Sequence, residues 1–341
     1  MKTTLKLCAA LISTTALVGA AKADTDIKFM MDWAWQGPQA FALMARNAGC
    51  FDEGGVDITL DRGFGSGRVP VELAAGTYQM GLADINPTVK FRAENPESDI
   101  IAVAVIFAGS PLVAVVPADG DIQEPKDFEG KTLAAPDFDA GRQLFPIFAA
   151  ANDIDMSTIN WVSVKPELRE PMLVQGQADG ITGFITSSMP SLEKLGMSQD
   201  EQKIFKYKDY GVELYSTSIL TTKAFADANP EAVTTVVKCM IEGVKMADAD
   251  PDGAIAALVD HEPLTDATVE RNRWQITIDE MLRTPDVVAG GLSAVDMERL
   301  QAGIMSVEDA YNIENTLQAN ELYVDAYLPP VEDRMLTEKG S

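Results

Sequence analysis

A chain of 341 residues, 46% of them hydrophobic and 23% charged, is long enough for two folded lobes, because single cores rarely grow beyond about 250–300 residues. Its formal net charge of −25 excludes nucleic acid and anionic membrane surfaces as partners, since both repel a strongly acidic protein. Three cysteines and one histidine leave little for a zinc site or a Cys–His nucleophile pair.

The N-terminal 23 residues have the pattern of a secretory signal peptide. Lys2 and Lys6 form a short basic start, residues 7–21 are uncharged, and Ala21-Lys22-Ala23 is a small-x-small cleavage motif. The uncharged run is shorter than the roughly 20 apolar residues of a membrane anchor, and it is rich in small residues. The pattern therefore predicts a mature periplasmic chain that begins at Asp24.

Strands and helices alternate in the first part of the mature sequence. The apolar patterns predict strands at 27–31, 56–60, 78–83 and 100–107, and helices at 38–47, 68–75 and 87–94. The run 100–107 is continuously apolar and β-branched, which is typical of a buried parallel strand. This alternation predicts an α/β sheet.

A second α/β series begins near Pro111. It consists of predicted strands at 112–116, 132–135, 161–164 and 180–184, with helices at 141–151, 167–175 and 188–195. A strand at 215–221 could return the chain to the first lobe, and helices follow at 230–249, 252–260 and 266–282. We therefore expect a first lobe of 24–111 and 218–341 and a second lobe of 112–217, with a hinge of two crossing strands and a ligand cleft between the lobes.

The order and spacing of several short motifs over residues 27–220 resemble those of one family. They are Met31-Asp32-Trp33, the segment 49–58 (GCFDEGGVDI), Gly65-Ser66-Gly67, and the segments 73–76, 81–84, 127–132, 173–180 and 209–215. The chain is similar to type II periplasmic binding proteins that bind thiamine pyrimidine precursors, alkanesulfonates and taurine, or nitrate. The resemblance implies a two-lobed fold, no cofactor, a small-molecule ligand and an ABC permease in the inner membrane as partner.

The first lobe supplies most candidate ligand-binding residues. Trp33, Trp35 and Gln36 follow the first strand, where strand ends border the crevice of an open α/β sheet, although either tryptophan could belong to the core. In this loop the pyrimidine binders tend to have Asn and His, and this chain has Gln. The backbone of Gly65, Ser66 and Gly67 could bind an oxyanion or could form a tight turn. Further candidates follow or end the next strands: Asp84, Asn86 and Phe107.

The second lobe and the return crossing supply the remaining candidates. Asp137 and Arg142 surround a strand-to-helix turn, and Arg142 could clamp a carboxylate or lie at the surface. Glu213 and Tyr215 lie beside the return crossing. The resemblance favours Glu213 as the acceptor for a ligand amine, with a surface or hinge salt bridge as the alternative. The sequence leaves open whether Cys50 and Cys239 pair.

These observations predict a monomeric solute-binding component of an ABC importer, with no catalytic residue and no metal. A pyrimidine-like heterocycle is the favoured ligand, and a sulfonate, nitrate or aromatic carboxylate is the alternative. An enzyme resembling thiamine-pyrimidine synthase is a third hypothesis. By resemblance that enzyme uses a histidine and a cysteine-rich iron motif, whereas this chain has one distant histidine, His261, and no cysteine cluster.

Overall fold

The protein is described by a computed structural model that covers residues 24–314 and 317–337. The predicted signal peptide lies outside the described residues. Ten strands lie within them: β1 Thr25–Met30, β2 Val56–Asp61, β3 Met80–Asp84, β4 Ile100–Val105, β5 Leu112–Pro117, β6 Thr132–Ala135, β7 Asn160–Ser163, β8 Gly180–Phe184, β9 Gln202–Lys206 and β10 Thr217–Thr222. They form two five-stranded sheets, with α-helices between the strands and after the last of them. This arrangement confirms the predicted two-lobed α/β fold, and we call each sheet with its helices a lobe.

The first sheet has the order β2-β1-β3-β10-β4. β1 pairs in parallel with β2 and β3, whereas β10 runs antiparallel between β3 and β4. The prediction that 100–107 contains a parallel strand is therefore wrong, because β4 pairs antiparallel with β10 at the end of the sheet. All six residues of β4 are nevertheless buried, and Ala102 forms a bridge with Tyr323 near the C-terminus. A continuous apolar run in the sequence therefore indicates that a strand is buried, but it does not indicate whether the strand pairs parallel or antiparallel.

The second sheet has the order β7-β6-β8-β5-β9. The sequence did not predict β9, which pairs antiparallel with β5. The chain crosses from the first sheet to the second through residues 106–111 and returns through 207–216. The two crossings meet where the backbone N–H groups of Ile106 and Phe107 donate to the carbonyl of Thr217, at 2.8 and 3.1 Å. We propose that lobe boundaries near 111 and 217 follow these crossings.

The α-helices of the described residues are α1 Ala40–Asn47, α2 Cys50–Glu53, α3 Arg68–Ala74, α4 Asn86–Glu94, α5 Ala140–Ala151, α6 Arg169–Val174, α7 Ile185–Lys194, α8 Lys223–Ala228, α9 Pro230–Ala249, α10 Pro251–His261, α11 Ala267–Thr277, α12 Pro285–Gly290, α13 Met297–Ala310, α14 Ala319–Leu322 and α15 Val331–Arg334. The predicted helix 230–249 is confirmed at both ends. The predicted helix 266–282 is α11 continued by a π-helical turn, Ile278–Leu282. Across the part of the chain that the structure covers, every helix is too short or too polar to cross a membrane.

A disulfide bond joins Cys50 and Cys239, whose Cα atoms lie 5.7 Å apart. Cys50 begins α2 and Cys239 lies in the middle of α9, so the bond links segments that are 189 residues apart in sequence. Both helices pack beside β2 of the first sheet. The bond therefore ties together the two sequence segments that build the first lobe.

Candidate ligand-binding cleft

A cavity with about 500 Å³ of empty volume lies between the two lobes. The first lobe contributes residues that follow β1, β2 and β4, and the second lobe contributes residues that follow β6 and β8. The lining residues are Asp32, Trp33, Gln36, Pro38, Gln39, Gly65, Ser66, Leu82, Phe107, Asp139, Ala140, Arg169, Phe184, Thr186, Ser187, Thr217 and Met281. The 500 Å³ includes space that is open to solvent, and the space that water-sized molecules can occupy is about 30 Å³, so the cavity is a narrow cleft.

Aromatic and apolar side chains form much of the cavity wall. Trp33, Phe107 and Phe184 line it together with Leu82 and Met281. Phe107 is held in place by edge-to-face contacts with Phe41 and Trp274, at centroid distances of 5.7 and 6.3 Å. Such walls favour a flat organic ligand, which gains free energy from burial and from ring contacts.

Asp32 and Gln39 place hydrogen-bond acceptors in this apolar surrounding. The Nε2 of Gln39 donates to Oδ1 of Asp32 at 2.9 Å, and both side chains are buried. Burial raises the pKa of Asp32 from its ordinary 3.8 to about 6, against the opposing effect of its hydrogen bonds. Among the described residues, Gln39 Oε1 has no hydrogen-bond partner. The pair therefore offers a carboxylate and an amide oxygen to a ligand that donates hydrogen bonds.

The cation of the cavity wall, Arg169, is already shared between two carboxylates. Its Nη1 donates to Asp139 at 2.9 Å, and its Nε and Nη2 donate to one oxygen of Glu170 at 2.9 and 2.6 Å. All three side chains are buried, and the guanidinium carbon lies 5.0 Å from the centre of the Trp33 ring. Burial raises the pKa of Asp139, while the charge of Arg169 opposes this rise. With both carboxylates ionised, this cluster carries net negative charge.

The glycine-rich loop after β2 uses its backbone N–H groups within the protein. Gly63 donates to Trp33 O at 2.8 Å, Gly65 to Asp32 O at 2.9 Å and Gly67 to Phe138 O at 3.1 Å. The last of these bonds crosses from the first lobe to the second. The expectation that the N–H groups of Gly65 and Gly67 bind an oxyanion does not fit this geometry, because both groups already have acceptors.

The structure brings five of the sequence-predicted residues together in the cavity wall: Trp33, Gln36, Gly65, Ser66 and Phe107. Trp35 is not among the lining residues and packs edge-on against His261, with 4.8 Å between ring centres. Gly67 is also outside the lining set. Of the two predicted tryptophans, Trp33 therefore lines the cleft and Trp35 does not.

The remaining predicted residues lie elsewhere. Asp84 accepts hydrogen bonds from Asn86 and Ser216, and Asn86 Nδ2 also donates to the carbonyl of Tyr215, so these buried groups fix the return crossing beside β3. The Tyr215 hydroxyl accepts a hydrogen bond from the backbone N–H of Asp296.

Three further candidates have surface partners or solvent around them. The exposed Asp137 forms an ion pair with Arg142 at 2.7 Å, and Arg142 also donates to Ser163 at 2.9 Å. Glu213 is exposed and is absent from the cavity wall. Arg142 and Glu213 therefore lie outside the cavity wall, whereas Arg169 and Asp32 belong to it.

The predicted set of site residues did not include the following residues of the cavity wall: Asp32, Gln39, Asp139, Arg169, Phe184, Thr186 and Ser187. The sequence contained a signal for Asp32, because this residue comes just after β1 and lies in the same motif as Trp33. Arg169 had none, since it begins α6 and meets Asp139 only through the folding of the second lobe. Within the described residues, no cluster of three or more His, Cys, Asp or Glu side chains could hold a metal ion.

Two mixed sheets, a double crossing and a cavity between the lobes define the fold of a type II periplasmic binding protein. Residues 38–254 match the family model described as NMT1/THI5 like, and the chain belongs to this family. The family predicted from the sequence motifs is confirmed. None of the curated proteins compared with the chain matches it.

Solved structures with the same fold include two ligand-binding proteins. The alkanesulfonate-binding protein SsuA from Xanthomonas axonopodis pv. citri, bound to MOPS, is 16% identical with a TM-score of 0.69; the match covers 89% of this chain and 100% of SsuA. The periplasmic nitrate-binding protein NrtA from Synechocystis PCC 6803 is 10% identical with a TM-score of 0.68, and the match covers 90% of this chain and 88% of NrtA. At these identities the similarity establishes the fold.

Proposed function

We propose that the protein is the periplasmic solute-binding component of an ABC importer and captures a flat organic solute that donates hydrogen bonds, such as an amino-substituted, pyrimidine-like heterocycle. The observation that carries this proposal is the acceptor pair of Asp32 and Gln39 in an aromatic-walled cavity between two lobes. Closure of the lobes would bury the solute, and the closed form would be the state recognised by the permease in the inner membrane.

Binding rather than catalysis is supported by the position of the residues that the enzyme alternative requires. The histidine of the chain, His261, packs on Trp35 and is absent from the cavity wall. Cys50 and Cys239 are joined in a disulfide bond. Among the residues that the structure describes, no histidine or cysteine is therefore placed to take part in chemistry on a cavity-bound molecule.

The charges of the cavity wall disfavour the alternative ligand class, a small anion. Arg169 donates to two carboxylates, and Asp32 adds a third acidic group. An anion would have to enter a site with net negative charge, where interactions are weakly screened by solvent. The sulfonate- and nitrate-binding neighbours share the fold, and the fold does not determine the ligand.

A thermal-shift panel on the mature protein tests the proposal. The probes are 4-amino-5-hydroxymethyl-2-methylpyrimidine and related aminopyrimidines, with MOPS, taurine, nitrate and benzoate as the competing anions. We expect at least one aminopyrimidine to raise the melting temperature, because a solute that binds only the folded form stabilises it by mass action. Stabilisation by an anion, with none by the aminopyrimidines, would overturn the proposed ligand class.

Trp33→Ala is expected to weaken binding of the best aminopyrimidine about tenfold, through loss of ring contact and of buried area. Calorimetric titration measures the change. Trp35→Phe is the matched control, because Trp35 contacts His261 and does not line the cavity. Equal affinities of the Trp33 variant and the parent protein, with both folded, would contradict the role of Trp33.

Glu170→Gln is expected to raise the affinity for nitrate or MOPS at least tenfold and to lower that for an aminopyrimidine cation. The change removes one negative charge beside Arg169 and leaves the neutral Arg169–Asp139 pair. Glu167→Gln is the control, since Glu167 pairs with Arg62 and its side chain is 60% exposed. If both variants bind the anions as weakly as the parent protein, charge does not determine selection in this cleft.

A further inference from the structure

Helix α7 contains a backbone acceptor that its own helix cannot satisfy. α7 runs from Ile185 to Lys194 and has Pro190 in its interior. Proline has no N–H group, so the carbonyl of Thr186, four residues earlier, lacks its helical donor. Thr186 and the next residue, Ser187, line the cavity from the second lobe. A buried carbonyl without a donor is costly, so another group is needed at this point of the wall.

Arg273 supplies the missing donor from another part of the chain. Its Nη1 donates to the carbonyls of Thr186 and Ser187 at 2.7 and 2.6 Å, and its Nη2 donates to Ser191 Oγ at 2.8 Å. Arg273 lies in α11, which packs against the turn Gly37–Gln39 after β1. Its side chain is 3% exposed. One guanidinium therefore connects a helix of the C-terminal segment with three residues of the second lobe.

Glu270 extends this connection to the wall of the first lobe. Its Oε1 accepts from Arg273 Nε at 3.2 Å, and its Oε2 accepts from the backbone N–H of Gly37 at 2.7 Å. Gly37 lies between Gln36 and Pro38, which line the cavity. A continuous path of hydrogen bonds therefore runs from the first-lobe wall through Glu270 and Arg273 to the second-lobe wall.

We propose that Arg273 and Glu270 form an interlobe latch that holds the two cavity walls together when the lobes are closed, and that Pro190 makes the latch favourable by leaving the Thr186 carbonyl without a helical donor. Both are positioning residues, since neither lines the cavity. The latch rests on the two-lobed fold and not on the identity of the solute, so it can fail or succeed independently of the proposed ligand class.

Spin labels on cysteines introduced at Ala75 and Gln175 report the distance between the lobes. Both positions are exposed, and they follow α3 of the first lobe and α6 of the second. In full-length mature protein freed of bound solute, we expect the parent to show a short interlobe distance from closed molecules beside a longer one from open molecules. Arg273→Met should lower the ratio of closed to open molecules about tenfold, as expected for loss of charge-assisted hydrogen bonds.

Three further variants make the result decisive. Arg271→Met is the matched control on the same helix, because Arg271 pairs with the exposed Asp252, and it should leave the distance unchanged. Arg273→Lys keeps the charge beside Glu270 but cannot reach all three acceptors, so it should open the protein partly and serves if the methionine variant does not fold. Pro190→Ala restores an N–H donor to Thr186 and should open the protein in the same direction, which a purely structural role of Arg273 would not cause.

A distance distribution of Arg273→Lys and of folded Arg273→Met identical to that of the parent would overturn the latch. An unchanged distribution for Pro190→Ala would overturn the part assigned to proline. Thermal unfolding of each variant, measured in parallel, separates opening of the lobes from loss of the fold.

Discussion

Asp32→Asn is expected to raise the free energy of unfolding at pH 7 by about 2–3 kcal/mol. Burial raises the pKa of Asp32 from 3.8 to about 6, so the wild-type protein must keep an unfavourable buried charge at neutral pH. Each unit of pKa shift corresponds to about 1.4 kcal/mol. Asparagine carries no charge, and its amide oxygen can accept from the backbone N–H groups of residues 32 and 33 that Asp32 uses. When the Gln39 amide turns over, the asparagine N–H can donate to Gln39 Oε1, which has no other partner among the residues described.

The pH dependence has a defined sign. Because the pKa of Asp32 is higher in the folded than in the unfolded state, the folded state binds more protons between about pH 4 and pH 6. This carboxyl group therefore makes the wild type less stable as the pH rises through that window. The asparagine variant does not show this decrease in stability, because its side chain does not titrate. Urea unfolding at pH 4, 5 and 7 should show a difference that grows with pH. A difference that is constant across these values would contradict the assignment.

Asp84→Asn provides a contrast at equal burial. Its pKa is also raised to about 6 by burial, but Asp84 accepts from the backbone and side chain of Asn86 and from Ser216. An amide at this position would direct its own N–H groups toward donors. We therefore expect Asp84→Asn to destabilise the protein where Asp32→Asn stabilises it.

The stabilised Asp32 variant should bind poorly. A hydrogen bond to a charged acceptor contributes about 1.5–3 kcal/mol, so loss of the carboxylate should weaken binding of an aminopyrimidine roughly tenfold to a hundredfold. For the wild type, a solute that stays protonated or donating should bind less tightly as the pH falls below about 6, when Asp32 becomes neutral. Calorimetric titrations at pH 5 and pH 7 measure both effects. If the affinity of the variant equals that of the wild type, Asp32 does not contribute to binding of the solute.

Replacement of both Cys50 and Cys239 by serine is expected to lower the free energy of unfolding by about 3–5 kcal/mol. The bond closes a loop with a sequence separation of 189, and a long closed loop restricts the unfolded chain strongly. Affinity for the solute should stay the same, because neither α2 nor α9 contributes a cavity residue. Urea unfolding and titration of one preparation measure the two quantities.

The parent protein unfolded with and without a reducing agent is the control for the serine substitutions. The reduced parent should unfold at the same urea midpoint as the double variant, because both lack the bond. If the double variant unfolds at the midpoint of the oxidised parent, the bond contributes little, and packing of α1 and α2 against α9 carries this contact.

The sequence predicted the elements of the fold well where hydrophobic periodicity was long. Helix α9, at Pro230–Ala249, has 20 residues and an apolar face, and its predicted bounds are correct. β9, at Gln202–Lys206, was missed because its side chains alternate too weakly between buried and partly buried positions. The direction of β4 was also beyond the sequence, since a buried strand has the same composition in either direction.

The site was predicted only in part. The end of a strand indicates that a residue lies near the cleft, but it does not indicate which side chains that residue will contact. Trp33 and Phe107 line the cavity as the ends of their strands suggest. Asp84 likewise stands at the end of a strand, β3, but its carboxylate accepts hydrogen bonds from Asn86 and Ser216 and does not line the cavity. The hydrogen-bond partners of Arg169 and Arg273 include residues far away in sequence, so no local sequence pattern predicts the roles of these two arginines.

The place of β10 in the first sheet has a consequence for the order in which the two lobes can fold. An exported chain emerges from the membrane with its N-terminal part first, and domains commonly fold as they emerge. Until Thr217–Thr222 appears, the group β2-β1-β3 and the strand β4 have no shared neighbour, whereas all five strands of the second sheet are already present. The lobe that is encoded in the middle can thus finish first, and the lobe that begins the chain is completed after it. Cys239 comes after β10 in the chain, so the Cys50–Cys239 bond would form after the first sheet is complete.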